Sequence, residues 1–327
     1  MNSRNSSFGA GSRRTRSRRR RPRMRDAVIG IPAAVIVLLL LGHGLLPEAG
    51  GVALAVESFL PWLGIGVAVL LLAALAGRAL FGAIPVVAAA VSWAVVFAPV
   101  LMTAGGAAGS ADAVPADDGG AGLKVVTQNL RAGNPDAAAA VDGLADSGAD
   151  VVVLQELTGE TLGRIAPILD GAFGYRELTG TVGVWSRYPL GTGEPLTLGL
   201  DWPRALRVQL EVPDGPVQLY AVHLPSVRPS EVENRNSGLS ELTDIVASDP
   251  SARVLVAGDF NAASTDSAFT PLLETLDEAR EGFGFTWPAQ YPLTRPDHIL
   301  YRGFTAQEAT QIDSPGTDHL AALAHLK

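Results

Sequence analysis

Three long apolar stretches occupy the first third of the chain, near 27–46, 59–76 and 84–104, and each is long enough to cross a bilayer as a helix. The first contains the uncharged run from Val35 to Leu41. Its one ionisable residue, His43, lies near its end, which suits an interfacial histidine better than a proton relay. Pro85 and Pro99 fall near the ends of the third stretch, where proline is tolerated. A cleaved signal peptide competes as an account of the first stretch taken alone. Two further apolar spans close behind it favour a three-helix membrane anchor over 27–104.

Beyond residue 122 the pattern changes. Short apolar runs rich in β-branched residues recur near 124–128, 151–154, 182–185, 206–212, 217–222, 253–257, 297–301 and 320–326. Helical spacing appears near 135–147, 158–170 and 230–247, with Asn134-Pro135 and Pro229-Ser230 as plausible starts. Strands often follow one another with no helix between, which predicts an α+β layered sandwich rather than a doubly wound sheet. Residues 105–122, rich in Gly, Ala and Asp, read as a flexible linker to a domain spanning 123–327. No internal repeat stands out among the motifs.

Charge sharpens this organisation. Residues 1–25 carry ten arginines and no acid, whereas 119–327 carry 14 basic and 27 acidic side chains, a net of −13. The 47–58 loop holds Glu48 and Glu57 but no Lys or Arg, and Arg78 marks the next loop. Positive charge stays on the cytoplasmic side, so the 1–26 tail is expected inside and, after three crossings, everything past 104 outside. A nucleic-acid arm is the other use of such a tail. The absence of cysteine excludes disulfides, thiolate metal sites and a cysteine nucleophile.

The chemistry gathers where the strands stop. Val254 to Ala257 reads as a buried strand ending at Gly258, after which Asp259 and Asn261 stand two apart. If the extended path persists to Asn261, both side chains project on one side, with Phe260 on the other. A strand, a glycine and an Asx-turn is the bland reading of the same residues. Other strands end at Gln128-Asn129, Glu156 and His223, and the pattern recurs at Asp297-His298 and Asp318-His319. Six such sites are hard to attribute to turns. Arg235 could reach a site or be a solvated helix residue, the latter slightly favoured. His298 suits a structural role as well as a functional one. Trp185, Trp202 and Trp287 suit core or rim packing, and the last two adjoin prolines and could line a groove.

This ordered set, with Ser186-Arg187-Tyr188-Pro189, resembles the endonuclease/exonuclease/phosphatase superfamily, the fold of DNase I, over roughly 123–327. The resemblance implies a four-layer αββα sandwich with its active site at one end, here preceded by three transmembrane helices. It implies metal-dependent hydrolysis of a phosphate ester, with Mg²⁺ as the cofactor and Mn²⁺ as an alternative. Glu156, Asn129 and Asp318 are the implied metal residues. Asp259 would orient or deprotonate water, and Asn261 would hold water or a phosphoryl oxygen. His319 would contact the scissile phosphate, paired with Asp297, and His223 would be a second phosphate-facing histidine. Relatives often carry an acid or amide where this chain has Arg131, which leaves a second metal site in doubt.

Three functions follow. The first is a cell-membrane, outward-facing phosphoesterase acting on a phospholipid headgroup or a lipid-linked phosphate such as polyprenyl pyrophosphate. By architecture the chain also resembles the membrane phosphohydrolases linked to teicoplanin resistance. The second is an extracytoplasmic nuclease, disfavoured by the acidic body because nucleic acid rewards basic surfaces. The third is a non-catalytic tethered binding domain.

Overall fold

The computed structural model describes residues 24–48, 50–102 and 122–327. All but the last three residues of the expected tail, and the expected linker except Gly122, lie outside the described residues.

Four helices come first: α1 (Met24–Gly42), α2 (Val52–Ser58), α3 (Leu63–Gly77) and α4 (Ala83–Met102). The segments Met24–Leu45, Leu60–Gly77 and Ala83–Met102 are long and apolar enough to cross a membrane, with mean hydropathies of 2.4, 2.2 and 2.2. Their inner faces pack together through Ile36, Leu40, Val67, Val86 and Phe97. Their outer faces are equally apolar: Leu38, Leu72, Leu75, Val91 and Val95 are all exposed. Apolar surface on both sides of a helix suits lipid, not water. One end of the bundle is tied by the Gly82 N–H, which donates to Asp26 at 3.1 Å, and by Arg25 Nη2, which donates to the Arg78 carbonyl at 3.1 Å.

The rest of the chain forms β1 (Leu123–Asn129), α5 (Ala137–Asp146), β2 (Val151–Gln155), α6 (Gly159–Ala172), β3 (Tyr175–Thr179), β4 (Val182–Ser186), β5 (Glu194–Leu196), β6 (Ala205–Val212) and β7 (Gly215–His223). It continues through α7 (Val232–Ser248), β8 (Val254–Asp259), α8 (Thr270–Leu273), β9 (Asp277–Glu278), β10 (Asp297–Arg302), β11 (Ala306–Ile312) and β12 (Ala321–Leu326). Two six-stranded sheets result, in the orders β11-β12-β1-β2-β4-β3 and β5-β6-β7-β8-β10-β9. Alternate side chains of each central strand enter different cores. Val125, Val153, Leu219, Leu255 and Ile299 fill the space between the sheets. Val126 and Val152 meet Val141 and Leu144 of α5 and Ile165 and Leu169 of α6 on one outer face. Tyr220, Val256 and Leu300 meet Leu239, Leu242 and Val246 of α7 on the other. The four layers expected from the sequence are therefore present. The eight expected strands are β1, β2, β4, β6, β7, β8, β10 and β12. Four further strands, β3, β5, β9 and β11, went unforeseen, as did α2 within the expected 47–58 loop.

Topology explains why the polar strand ends meet. Each sheet holds one parallel pair, β1 with β2 and β7 with β8, each joined across a helix. Their carboxyl ends point the same way, placing Asn129 beside Gln155 and His223 beside Asp259 in register. β10 runs antiparallel to β8, so its first residue, Asp297, pairs with Asp259. β12 runs antiparallel to β1, so the segment entering it, Asp318-His319, arrives at the same end.

The helical bundle packs on this sandwich through the end opposite Arg25 and Arg78. Trp62 Nε1 donates to the Leu293 carbonyl at 2.8 Å, and its ring stacks on Phe285 with centroids 5.7 Å apart. Phe97 of α4 meets Phe283 edge-on at 5.6 Å.

Candidate active site

A cavity of 480 Å³ opens at the convergent strand ends. Seven of the eight residues singled out in the sequence line it: Asn129, Glu156, His223, Asp259, Asn261, Asp318 and His319. Asp297 stands behind His319, fully buried.

Asn129 is the brace of the cluster. Its Nδ2 donates to Glu156 Oε1 at 3.0 Å and to Asp259 Oδ2 at 2.9 Å, linking the two sheets. Its Oδ1 accepts the Arg131 N–H at 2.9 Å, so the oxygen expected to face a metal is engaged by backbone. Glu156 follows β2 at φ 60°, a left-handed conformation that is costly for a non-glycine residue, and its Oε2 accepts the Ala132 N–H at 2.6 Å. Arg131, at φ 56°, shares this conformation.

The second sheet contributes the residues around Gly258. A Cβ there would lie 1.9 Å from the Val222 carbonyl oxygen, so the close pairing of β7 and β8 admits only glycine. Asp259 Oδ1 accepts the Asn261 N–H at 2.9 Å, forming the Asx-turn of the bland reading, while its Oδ2 is held by Asn129. Turn and site coincide. The extended path does not persist, however: β8 ends at Asp259, and Asn261 lies at φ 49°. Its Nδ2 donates to the Leu224 carbonyl at 3.0 Å, which fixes the carboxamide at the cavity wall.

His319 Nδ1 lies 2.8 Å from Asp297 Oδ2, which also accepts the Thr286 hydroxyl at 2.6 Å. With Nδ1 engaged, Nε2 is left for the cavity. The His319 N–H donates to Thr317 Oγ1 at 3.1 Å, and Thr317 Oγ1 donates to the Asn129 carbonyl at 2.8 Å, which ties the segment before β12 to β1. Asp318 is exposed and accepts from Trp287 Nε1 at 3.3 Å.

These surroundings push the two histidines apart. Burial alone would lower the His319 pKa, but the Asp297 carboxylate, its hydrogen bond and the Asp259 charge outweigh this and raise it to about 10. Burial lowers that of His223, opposed only in part by Asp259 and Glu156. At neutral pH one imidazole is charged and the other is not. Burial, and then the charge of Asp297, raise the pKa of Asp259.

Asp259, Asp297 and His319 each bring a potential ligand atom within 4.8 Å of the others. His319 Nδ1 and Asp297 Oδ2 are paired with each other, while the oxygens of Asp259 and Glu156 line the cavity, each accepting one hydrogen bond and keeping a lone pair for a cation. The Asp297 Oδ1 is buried with no hydrogen-bond partner. Crowded carboxylates and hard oxygen donors fit a divalent cation such as Mg²⁺ or Mn²⁺.

Sequence reading missed one supporting residue. Arg235 is fully buried rather than solvated. Its Nη1 bonds Asp266 Oδ2 at 2.5 Å and the Asn261 carbonyl at 3.3 Å, buttressing the segment behind the cavity. The signal was its spacing: Arg235, Leu239, Leu242 and Val246 share the buried face of α7. His298 is structural, with Nδ1 2.7 Å from Glu278 and Nε2 2.8 Å from the Ala262 carbonyl. Trp185 is core, Trp287 lines the cavity, and Trp202 is exposed against Arg204.

A sequence profile described as the Endonuclease/Exonuclease/phosphatase family matches residues 126–319. No curated protein matches the chain. Among solved structures, D. rerio TDP2 complexed with a single-strand DNA product is 19% identical, with a TM-score of 0.56 over 64% of this chain and 100% of its own. An endonuclease/exonuclease/phosphatase from Beutenbergia cavernae DSM 12333 is 23% identical, with a TM-score of 0.52 over 63% of this chain and 71% of its own. A family protein from Leptotrichia buccalis C-1013-b is 14% identical, with a TM-score of 0.51 over 63% and 99%. At these identities the likeness is one of fold.

Proposed function

Because the chain belongs to the endonuclease/exonuclease/phosphatase family, whose members are metal-dependent hydrolases of phosphate esters, we propose that it is a membrane-anchored phosphoesterase facing outward from the cell. Its substrate is a lipid-linked phosphate or pyrophosphate, such as polyprenyl pyrophosphate, or a phospholipid headgroup. The observation that carries this reading is the placing of the catalytic cavity on the end of the sandwich that packs against the three apolar helices. Arg25 and Arg78 lie at the far end of those helices, which supports a cytoplasmic position for that end.

In this reading Glu156 holds the divalent cation, with Asp318 nearby and Asn129 aiming Glu156 and Asp259 at one another. The cation, when bound, offsets phosphoryl charge and acidifies water. Asp259, its pKa raised by burial and by the Asp297 charge, accepts the proton of the attacking water, which Asn261 orients. His319, held charged by Asp297, donates from Nε2 to a phosphoryl oxygen as negative charge builds there. His223, neutral, faces the same phosphate from the second sheet.

An outward-facing nuclease is the second reading, favoured by the DNA product held in the D. rerio structure. The net charge of −13 over 119–327 weighs against it. The deciding experiment offers the purified chain polyprenyl pyrophosphate, sphingomyelin, inositol phosphates and plasmid DNA, each with Mg²⁺ and with EDTA. Mg²⁺-dependent turnover of a lipid substrate is expected. Plasmid nicking with no lipid turnover would replace this reading with the nuclease.

A further inference from the structure

Besides the catalytic residues, the sandwich lines the cavity with Val227, Arg228, Trp287 and Pro296, and the membrane-proximal helix α2 supplies a further part of its wall. Leu54, Ala55 and Ser58 of α2, with Phe59 just after it, complete the wall. α2 belongs to the membrane-proximal turn between two spans, and it is seated on the sandwich by one residue. Glu57, a buried carboxylate, accepts the Ser267 N–H at 3.0 Å and lies 3.0 Å from His43 Nδ1. Its main-chain carbonyl accepts the Thr265 hydroxyl at 2.6 Å. Thr265 and Ser267 belong to the loop that leaves β8 after Asp259, so the seat of α2 and the catalytic strand share one short segment.

Leu54, Ala55 and Phe59 offer a phosphate no side-chain donor, and the Ser58 hydroxyl donates to the Leu54 carbonyl at 2.8 Å, so this wall suits another part of the substrate. Phe59 is 43% exposed, and across the cavity Val227 is 52% and Trp287 38% exposed. Apolar surface of this kind, continuous with a charged cluster and adjoining the ends of apolar helices, is complementary to an ester with a charged head and an apolar tail.

We propose that α2 is a tail-reading wall of the active site: Ala55, Ser58 and Phe59, with Val227 and Trp287, receive the first apolar segment of a membrane-borne phosphate ester. The anchor thereby selects the substrate as well as holding the enzyme at the membrane. This rests on the phosphoesterase reading above, and the test separates the two.

The full-length chain in phosphatidylcholine vesicles is assayed on a polyprenyl diphosphate and on methyl diphosphate, which carries the same reacting group without the tail. The readout is the ratio of kcat/KM for the long-tailed ester to that for the methyl ester. Phe59→Ser and Ala55→Arg each lower this ratio at least tenfold, whereas Val52→Ser, exposed on α2 but outside the cavity lining, keeps it within twofold. Turnover of methyl diphosphate shows that the variants are folded. A second measurement exploits the absence of cysteine: Phe59→Cys carries a polarity-sensitive dye, whose emission shifts to the blue when the polyprenyl diphosphate is added in EDTA and stays unchanged with methyl diphosphate. An unchanged ratio in both cavity variants, or no dye response, overturns the wall and leaves the phosphoesterase standing. Absence of any polyprenyl diphosphate hydrolysis by the unsubstituted chain overturns the substrate class, and the wall with it.

Discussion

Asp259 accepts a turn hydrogen bond on one oxygen and a bracing amide on the other, so a single carboxylate closes the loop and faces the chemistry. Replacing it with Ala, or replacing His319 with Ala, lowers kcat by ~10³-fold or more, measured on any turned-over ester with Mg²⁺. The His319–Asp297 pair makes a pH prediction. In the proposed mechanism the imidazolium is the donor, and its proton is lost as pH rises through a folded pKa of about 10, so activity is expected to fall on the alkaline side only near there. Asp297→Asn removes the charge that opposes burial, and the alkaline limb moves down by ~1–3 pH units in a kcat/KM profile. Gly258→Ala forces a Cβ against the Val222 carbonyl and costs more than ~2 kcal/mol in urea unfolding. The polar residues of the cavity were legible in the sequence because phosphate chemistry draws on few side-chain types, and these stood at strand ends. Two features were not legible. Spacing with Leu239, Leu242 and Val246 marks Arg235 as inward-facing, but its partner Asp266 is brought to it only through space. Asn129 reads as a metal residue, and its bracing of Glu156 and Asp259 across the two sheets is visible only in three dimensions.

The strands that escaped the sequence pattern have one thing in common: β3, β11, β5 and β9 are the four edges of the two sheets. A central strand is buried on both faces and shows as an apolar run, as Val151 to Leu154 does. An edge strand needs no such run, and Tyr175 to Glu177 or Gln307 and Glu308 are mostly open to solvent. α2 was hidden for a related reason. It is seven residues long, too short for helical spacing to register, and its defining residue is a glutamate whose sandwich partners, Thr265 and Ser267, lie some two hundred positions later. Helix α6 follows the ordinary rules. Thr158 caps it by accepting the Thr161 N–H at 3.1 Å, and Thr158→Ala lowers stability by ~1 kcal/mol in the same unfolding assay.

At the scale of the whole chain, both ends of the helical bundle are defined by contact: arginines and Asp26 at one, the catalytic sandwich at the other. With the orientation proposed above, protease added to intact cells is expected to digest the sandwich and spare the helices, as read by immunoblotting against each part. Protection of the sandwich in sealed cells would reverse the orientation. The three apolar spans were readable from hydropathy alone. The seating of the sandwich on α2 was not, because it depends on side chains far apart in sequence. The pairing of β12 with β1 carries a consequence for biosynthesis. His319 hangs its backbone carbonyl on Gln128, 191 positions earlier, at 3.2 Å. A ribosome makes the brace, Asn129, early and delivers His319 late, after eleven of the twelve strands have been made. If His319 is the charged donor proposed above, the nascent chain gains hydrolytic activity only once that late segment has been made and paired.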